Sequence, residues 1–264
     1  MTREKDRGAL IYAGHALQPN NLGYCGPDEN GTILEALREG SANPKLLSTL
    51  GKFEAAYPFV RMIAKSTGLH PFDQKVTEAY WIGNFLLESV DPADFYHFTH
   101  DVLAPSRRRA GRKGGMPPAE SRSRFKRIGP WARPHHTFYV MALHDRSQGS
   151  PAAERKVLEL VDSCRVSWGK VVEVRSSTLV VDRPPLDAKD GVIGLGAPVR
   201  TEVRYDPRIP QFSAVAPGDR VSLHWNFASG MLTRLQLTNL KKYTALAVDV
   251  ANSQEKRGRE GAGD

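Results

Sequence analysis

Apolar positions recur at helical spacing through the first half of the chain and alternate through much of the second. After Asp73, the residues Val76, Tyr80, Phe85, Leu86 and Val90 share one broad apolar face, which predicts a helix starting there. Lys52 to Ser66 reads as another helix, with Pro58 placed to kink or split it. Thr32-Ile33-Leu34-Glu35 has capping-box spacing, so a helix is expected to open at Thr32 and stop at Gly40. Asp91-Pro92 pairs an N-cap with a first-turn proline and predicts a helix to about Val102. Ser150-Pro151 repeats that signal before Ala152 to Val161, where Val157, Leu158 and Val161 lie on one side. Thr137 to Leu143 is apolar with weak alternation and reads as a strand.

The pattern then changes. Val166, Trp168, Val172 and Val174 fall on one face of a period-two run. Leu179-Val180-Val181, Val199 to Tyr205 and Arg220 to Phe227 give three further strands. Short strands separated by turn signals must hide their edges, which favours a barrel. Leu237, Leu240, Tyr243, Leu246, Ala247 and Val250 return to helical spacing and predict a closing helix. The expected organisation is a mostly helical region over 1–148, a connecting helix over 149–162, a β-barrel with its closing helix over 163–252, and a disordered, charged, glycine-rich tail over 253–264. The fold class is α+β.

Composition sharpens this picture in one place. The 264 residues are 40% hydrophobic, enough for one or two packed domains, and carry a net charge of +8. Much of that charge sits at about 105–133, where Arg107, Arg108, Arg109, Arg112, Lys113 and further basic residues meet only Glu120 among acids. Its glycines and prolines leave this segment little to bury, so a mobile loop is expected. The five basic residues named are candidate contacts for phosphate groups or for an acidic protein surface. Phe125 and Trp131 are thin aromatic interleaving for a single-strand platform. A nucleic-acid-binding module is therefore the alternative functional reading. No apolar run reaches membrane-span length, and Met1 to Arg7 is not followed by a signal-type apolar core, so a cytoplasmic protein without a membrane partner is expected.

Candidate chemistry is sparse. There is no P-loop, no Gly-x-Ser-x-Gly elbow and no HExxH, and Gly191 to Gly196 lacks dinucleotide spacing, so no enzyme is expected. The two cysteines, Cys25 and Cys164, fall in different predicted regions, which argues against a structural disulfide. His15 to Asp28 is rich in turn formers and reads as a loop, with His15 and Cys25 as a candidate second thiol site. One cysteine and one histidine do not close a zinc site, which needs four ligands. His97 and His100 share a helix face and could meet His135 or His136 at a metal, although buried helix histidines are the plainer reading.

The most specific pattern lies in the barrel region. Cys164 is followed by Gly169-Lys170-Val171-Val172-Glu173-Val174, and then come Val215, Gly218, Asp219, Val221, Leu223, His224, Phe227 and Ala228. In this order they resemble the HypC/HupF family of [NiFe]-hydrogenase assembly chaperones, over roughly the last two fifths of the chain. The resemblance implies a small OB-like barrel whose cysteine and histidine handle an Fe(CN)2(CO) unit and contact the hydrogenase large-subunit precursor and other maturation proteins. It assigns Cys164 as the thiolate and His224 as second iron ligand or proton partner. Gly169 and Gly218 would shape turns, and Asp219 would cap one. In that family the cysteine stands beside the processed N-terminus, whereas Cys164 is internal.

Overall fold

The computed structural model describes residues 3–99, 132–143 and 151–260. Arg107, Arg108, Arg109, Arg112 and Lys113 lie outside the described residues, as does His100. The chain builds an N-terminal helical region, a closed five-stranded barrel and a long C-terminal helix.

The helical region is organised around α1 (Arg3–Asn21), which contacts α2 (Asn30–Glu39), α3 (Pro44–Gly51) and α5 (Gln74–Trp81). Between α3 and α5 runs α4 (Tyr57–Thr67). The turn-rich reading of His15 to Asp28 is corrected: the helix continues through Asn21, and the loop begins only afterwards. Its signal was obscured because α1 is lined by small residues, Ala9, Ala13 and Ala16, buried together with Tyr12 and Leu17. Pro19 is tolerated because it sits in the last turn, where a proline removes one hydrogen bond without breaking the helix interior.

Helix starts follow capping chemistry where a side chain can reach. Asn43 accepts from Leu46 N–H, Asp73 from Lys75 N–H, and Asp91 from Ala93 and Asp94 N–H ahead of α6 (Pro92–His97). The Thr32 cap is not formed. α2 opens two residues earlier, at Asn30, and Thr32 N–H donates to the Glu29 carbonyl. Pro58 does not kink a long helix but starts α4, in its first turn. The apolar face that follows Asp73 is shared between α5 and a 3-10 turn at Phe85–Ser89.

The segment read as a strand at Thr137 to Leu143 is instead α7 (His136–Leu143). An apolar run without alternation is equally the signature of a helix packed on all sides, and Phe138, Val140 and Met141 are all buried. α8 (Pro151–Cys164) then carries Cys164 as its last residue.

The barrel is made of β1 (Ser167–Val174), β2 (Thr178–Arg183), β5 (Val199–Arg204), β6 (Arg220–His224) and β7 (Phe227–Met231), in the closed order β1-β2-β5-β7-β6. Only β5 and β7 run parallel in it, meeting at Arg204 and Phe227. Closure removes the exposed edges that short strands would otherwise present, and the order matches the expected OB-like barrel. A separate hairpin of β3 (Leu186–Lys189) and β4 (Val192–Leu195) is inserted between β2 and β5. Arg220 to Phe227 is not one strand: β6 ends at His224, a turn at Trp225-Asn226 follows, and β7 begins at Phe227 opposite His224.

α9 (Arg234–Glu260) is the closing helix and packs against α7, β4 and β1; it continues to Glu260, through most of the segment expected as a disordered tail. Asn252 locks it to the inserted hairpin: its Nδ2 donates to the Ile193 carbonyl and its Oδ1 accepts from Ile193 N–H, each at 2.9 Å. One continuous cluster of buried side chains runs from α1 through the barrel to α9. α1 lies directly on the barrel wall, because a Cβ on Gly14 would sit 2.4 Å from the Ser229 carbonyl oxygen of β7. Among the described residues no helix is long and apolar enough to cross a membrane.

Candidate metal centre

Cys164 and His224, sixty positions apart, meet where the end of α8 approaches the end of β6. The ligand atoms of His136, Cys164 and His224 all lie within 4.8 Å of one another. No carboxylate joins the group among the described residues.

The local backbone explains why they meet. β6 and β7 are joined by Trp225 and Asn226, both in the left-handed region, with φ of 53° and 55°. Two such residues form the turn whose twist suits a tight hairpin. A tryptophan there is strained, since its bulk disfavours positive φ. Two contacts hold it: Trp225 N–H donates to the Ser163 carbonyl at 2.8 Å, and the Tyr24 ring lies 4.5 Å from its own. The residue after His224 is thus tied to the residue before Cys164.

His224 is 2% exposed. Its Nδ1 lies 2.6 Å from the His15 carbonyl, which can only accept, so Nδ1 carries the proton and Nε2 the lone pair. That carbonyl is available because Pro19, four residues on, has no N–H to give it. His224 Nε2 makes no hydrogen bond. Burial, followed by the neighbouring His136, pushes its pKa well below the usual imidazole value, so the ring is neutral.

His136 opens α7. Its Nε2 donates to the Cys164 carbonyl at 2.9 Å, and its Nδ1 accepts from the Tyr80 hydroxyl at 3.1 Å. Burial lowers its pKa to about 3, so this ring too is neutral. Cys164 retains some surface exposure as a residue, yet burial of the thiol dominates and raises its pKa to about 12. The nearby Cys25 pushes in the same direction, and Trp225 pulls weakly against it. Trp81 forms a wall beside both imidazoles, its ring 4.6 Å from His136 and 5.7 Å from His224.

The other predicted residues divide clearly. His15 and Cys25 do not pair as a site of their own. The His15 ring is committed to the Ile11 carbonyl at 2.8 Å and to Ser222 Oγ at 3.0 Å, and it stacks on Trp81. Its contribution to the group is its carbonyl. Gly169 lies inside β1 rather than in a turn; a Cβ there would be 2.8 Å from Val181 Cβ, so it is a point of close packing inside the barrel. Gly218 has a φ of +102° in the turn before β6, and Asp219 Oδ2 accepts from Ala216 N–H at 2.9 Å. His97 is exposed on α6, and His135 stacks on Tyr243 away from the group.

His136 is the group member that the barrel pattern does not contain. Its neighbourhood to His135 and to an apolar run was visible in the sequence, but its pairing with Cys164 depends on how α7 packs under the barrel.

One thiolate and two imidazoles form a donor set suited to zinc or to later first-row metals and iron. One ligand already presents a bare lone pair, and a thiol with a raised pKa would give up its proton on loading. The residues therefore fit a transition metal. No curated protein and no solved structure matches the chain. The family model described as a family of unknown function, DUF6390, matches residues 4–258, and the chain belongs to that family.

Proposed function

We propose that this protein is a non-enzymatic accessory factor of [NiFe]-hydrogenase maturation, and that the His136–Cys164–His224 group receives an iron unit as cargo. The observation that carries the reading is the convergence itself. The two residues singled out by the resemblance to the HypC/HupF chaperones lie in one buried donor group, completed by a histidine from outside the barrel.

The residues divide the work. Cys164 supplies the thiolate, a soft, strong donor for low-spin iron, and loses its proton on binding. His224 supplies Nε2, held in place through Nδ1 by the His15 carbonyl. His136 supplies its ring after moving its proton from Nε2 to Nδ1, where Tyr80 then accepts instead of donating. Trp81 keeps water from this side of the group. The cytoplasm, with its immature large subunit and other maturation proteins, is the setting of this reading.

The test is anaerobic co-purification of the tagged full-length protein from cells with an active hydrogenase system, followed by infrared spectroscopy. Bands of iron-bound cyanide and carbonyl, or a co-purifying large-subunit precursor, are expected from the wild type and absent from Cys164→Ala. Retention of both signals in that variant, or their absence from the wild type, contradicts the reading.

A further inference from the structure

A cavity of about 300 Å³ opens between α1, α5, the β6-β7 hairpin and the start of α9. None of His136, Cys164 and His224 lines it, so it is separate from the donor group. Its size is at the small end for ligand pockets. Most of its wall is aliphatic. Leu37, Ile82 and Ile209 are buried there, while Leu10, Met231 and Leu232 keep some surface exposure. The inner wall is polar but already satisfied: His15 Nε2 accepts from Ser222 Oγ at 3.0 Å, and His15 Nδ1 donates to the Ile11 carbonyl at 2.8 Å.

Two charged side chains line the same cavity, Arg7 from α1 and Glu78 from α5. They do not pair with each other, and neither forms an ion pair among the described residues. Glu78 is half-buried, and its oxygens accept only from neutral amides: Oε2 from Gln236 at 2.7 Å and Oε1 from Asn84 at 3.5 Å. Arg7 is exposed, and its guanidinium makes no hydrogen bond to a described residue. Taking a charge out of water without a partner is costly, so the Glu78 carboxylate calls for a cation. A guanidinium without an anion stands on the wall of the same cavity.

We propose that this cavity binds a free α-amino acid with an aliphatic side chain, of about leucine's size. The ligand's carboxylate faces Arg7, whose planar fork matches two oxygens. Its ammonium faces Glu78, and its side chain lies against the aliphatic wall. A fatty acid would bring a second carboxylate beside Glu78, and an alkyl amine would leave Arg7 without an anion. A zwitterion supplies both counter-charges and adds no net charge to the cavity. The site does not depend on the metal reading.

The experiment is isothermal titration calorimetry of the full-length protein with L-leucine, isocaproate and isoamylamine. The two analogues keep the branched chain and lack the ammonium or the carboxylate. One L-leucine per chain is expected, bound at least about tenfold more tightly than either analogue, the order of effect of one hydrogen bond to a charged group. Arg7→Gln should weaken L-leucine by about the same factor and leave isoamylamine unchanged, and Glu78→Gln should weaken L-leucine likewise without weakening isocaproate. Should a variant fold poorly by circular dichroism, the three-ligand comparison on the wild type decides. No binding of L-leucine at millimolar concentration, or equal affinity for L-leucine and either analogue, overturns the proposal. Unchanged L-leucine affinity in either well-folded variant does so too.

Discussion

At the scale of single residues, the site is set by where protons sit. Cys164 is a protonated thiol because burial pushes its pKa to about 12, and the imidazoles are neutral for the same reason. Metal must displace the thiol proton, so affinity should rise with pH, by about tenfold per unit for that proton between about pH 6 and 9. Competition titrations with a chelator across that range check it, and a flat profile would remove Cys164 from the ligand set. Tyr80 governs the other proton. Its hydroxyl is the partner of His136 Nδ1, and partners of this kind commonly contribute about 10–100-fold to metal affinity. Tyr80→Phe should therefore weaken binding by that order while the stoichiometry stays unchanged. Equal affinity in the two proteins would mean that His136 binds no metal.

At the scale of elements, two helices and a hairpin turn bring distant residues together. α1 presses its Gly14 against β7, which places the His15 carbonyl against His224. Gly14→Ala should force α1 off the barrel, at a cost of about 1–3 kcal/mol of stability by overpacking, and should weaken metal binding with it. Chemical denaturation and metal titration of the same variant test this, and loss of stability with full affinity would detach α1 from the site. Legibility in the sequence followed the same division. The barrel strands showed their alternation, and Asp73, Asp91 and Pro92 announced their helix starts. Cys164 and His224 stood out because one stands just ahead of a patterned strand and the other ends one. α7 did not, because its run of apolar residues offers no polar face to set a period. The Trp225-Asn226 turn was hidden for a related reason: it lacks the Asn-Gly or Gly that marks such turns, and strain at the site takes its place.

At the scale of the molecule, the helical region and the barrel share one core, and the donor group lies where they join. Acid should act on the whole. In the metal-free fold His15 has a pKa near about 4, and His135 and His136 near about 3, all lowered first by burial. Their ordinary value is about 6.5, so on acidification the unfolded chain takes up protons that the folded chain refuses. The stability these neutral rings contribute is thus complete above about pH 6.5 and is lost as pH falls towards 4 and 3. Each ring shifts the folded-to-unfolded ratio by about tenfold per unit in that window. Denaturant midpoints measured on metal-free protein should fall steeply from pH 6.5 to 4.5, and midpoints independent of pH would contradict the burial of these rings. Most direct of all is the metal content of full-length protein reconstituted anaerobically with iron(II), compared with His136→Ala, Cys164→Ser and His224→Ala. One bound ion per chain in the wild type and none retained through desalting in each variant is the expected result. Equal metal content in the wild type and all three variants would contradict the site.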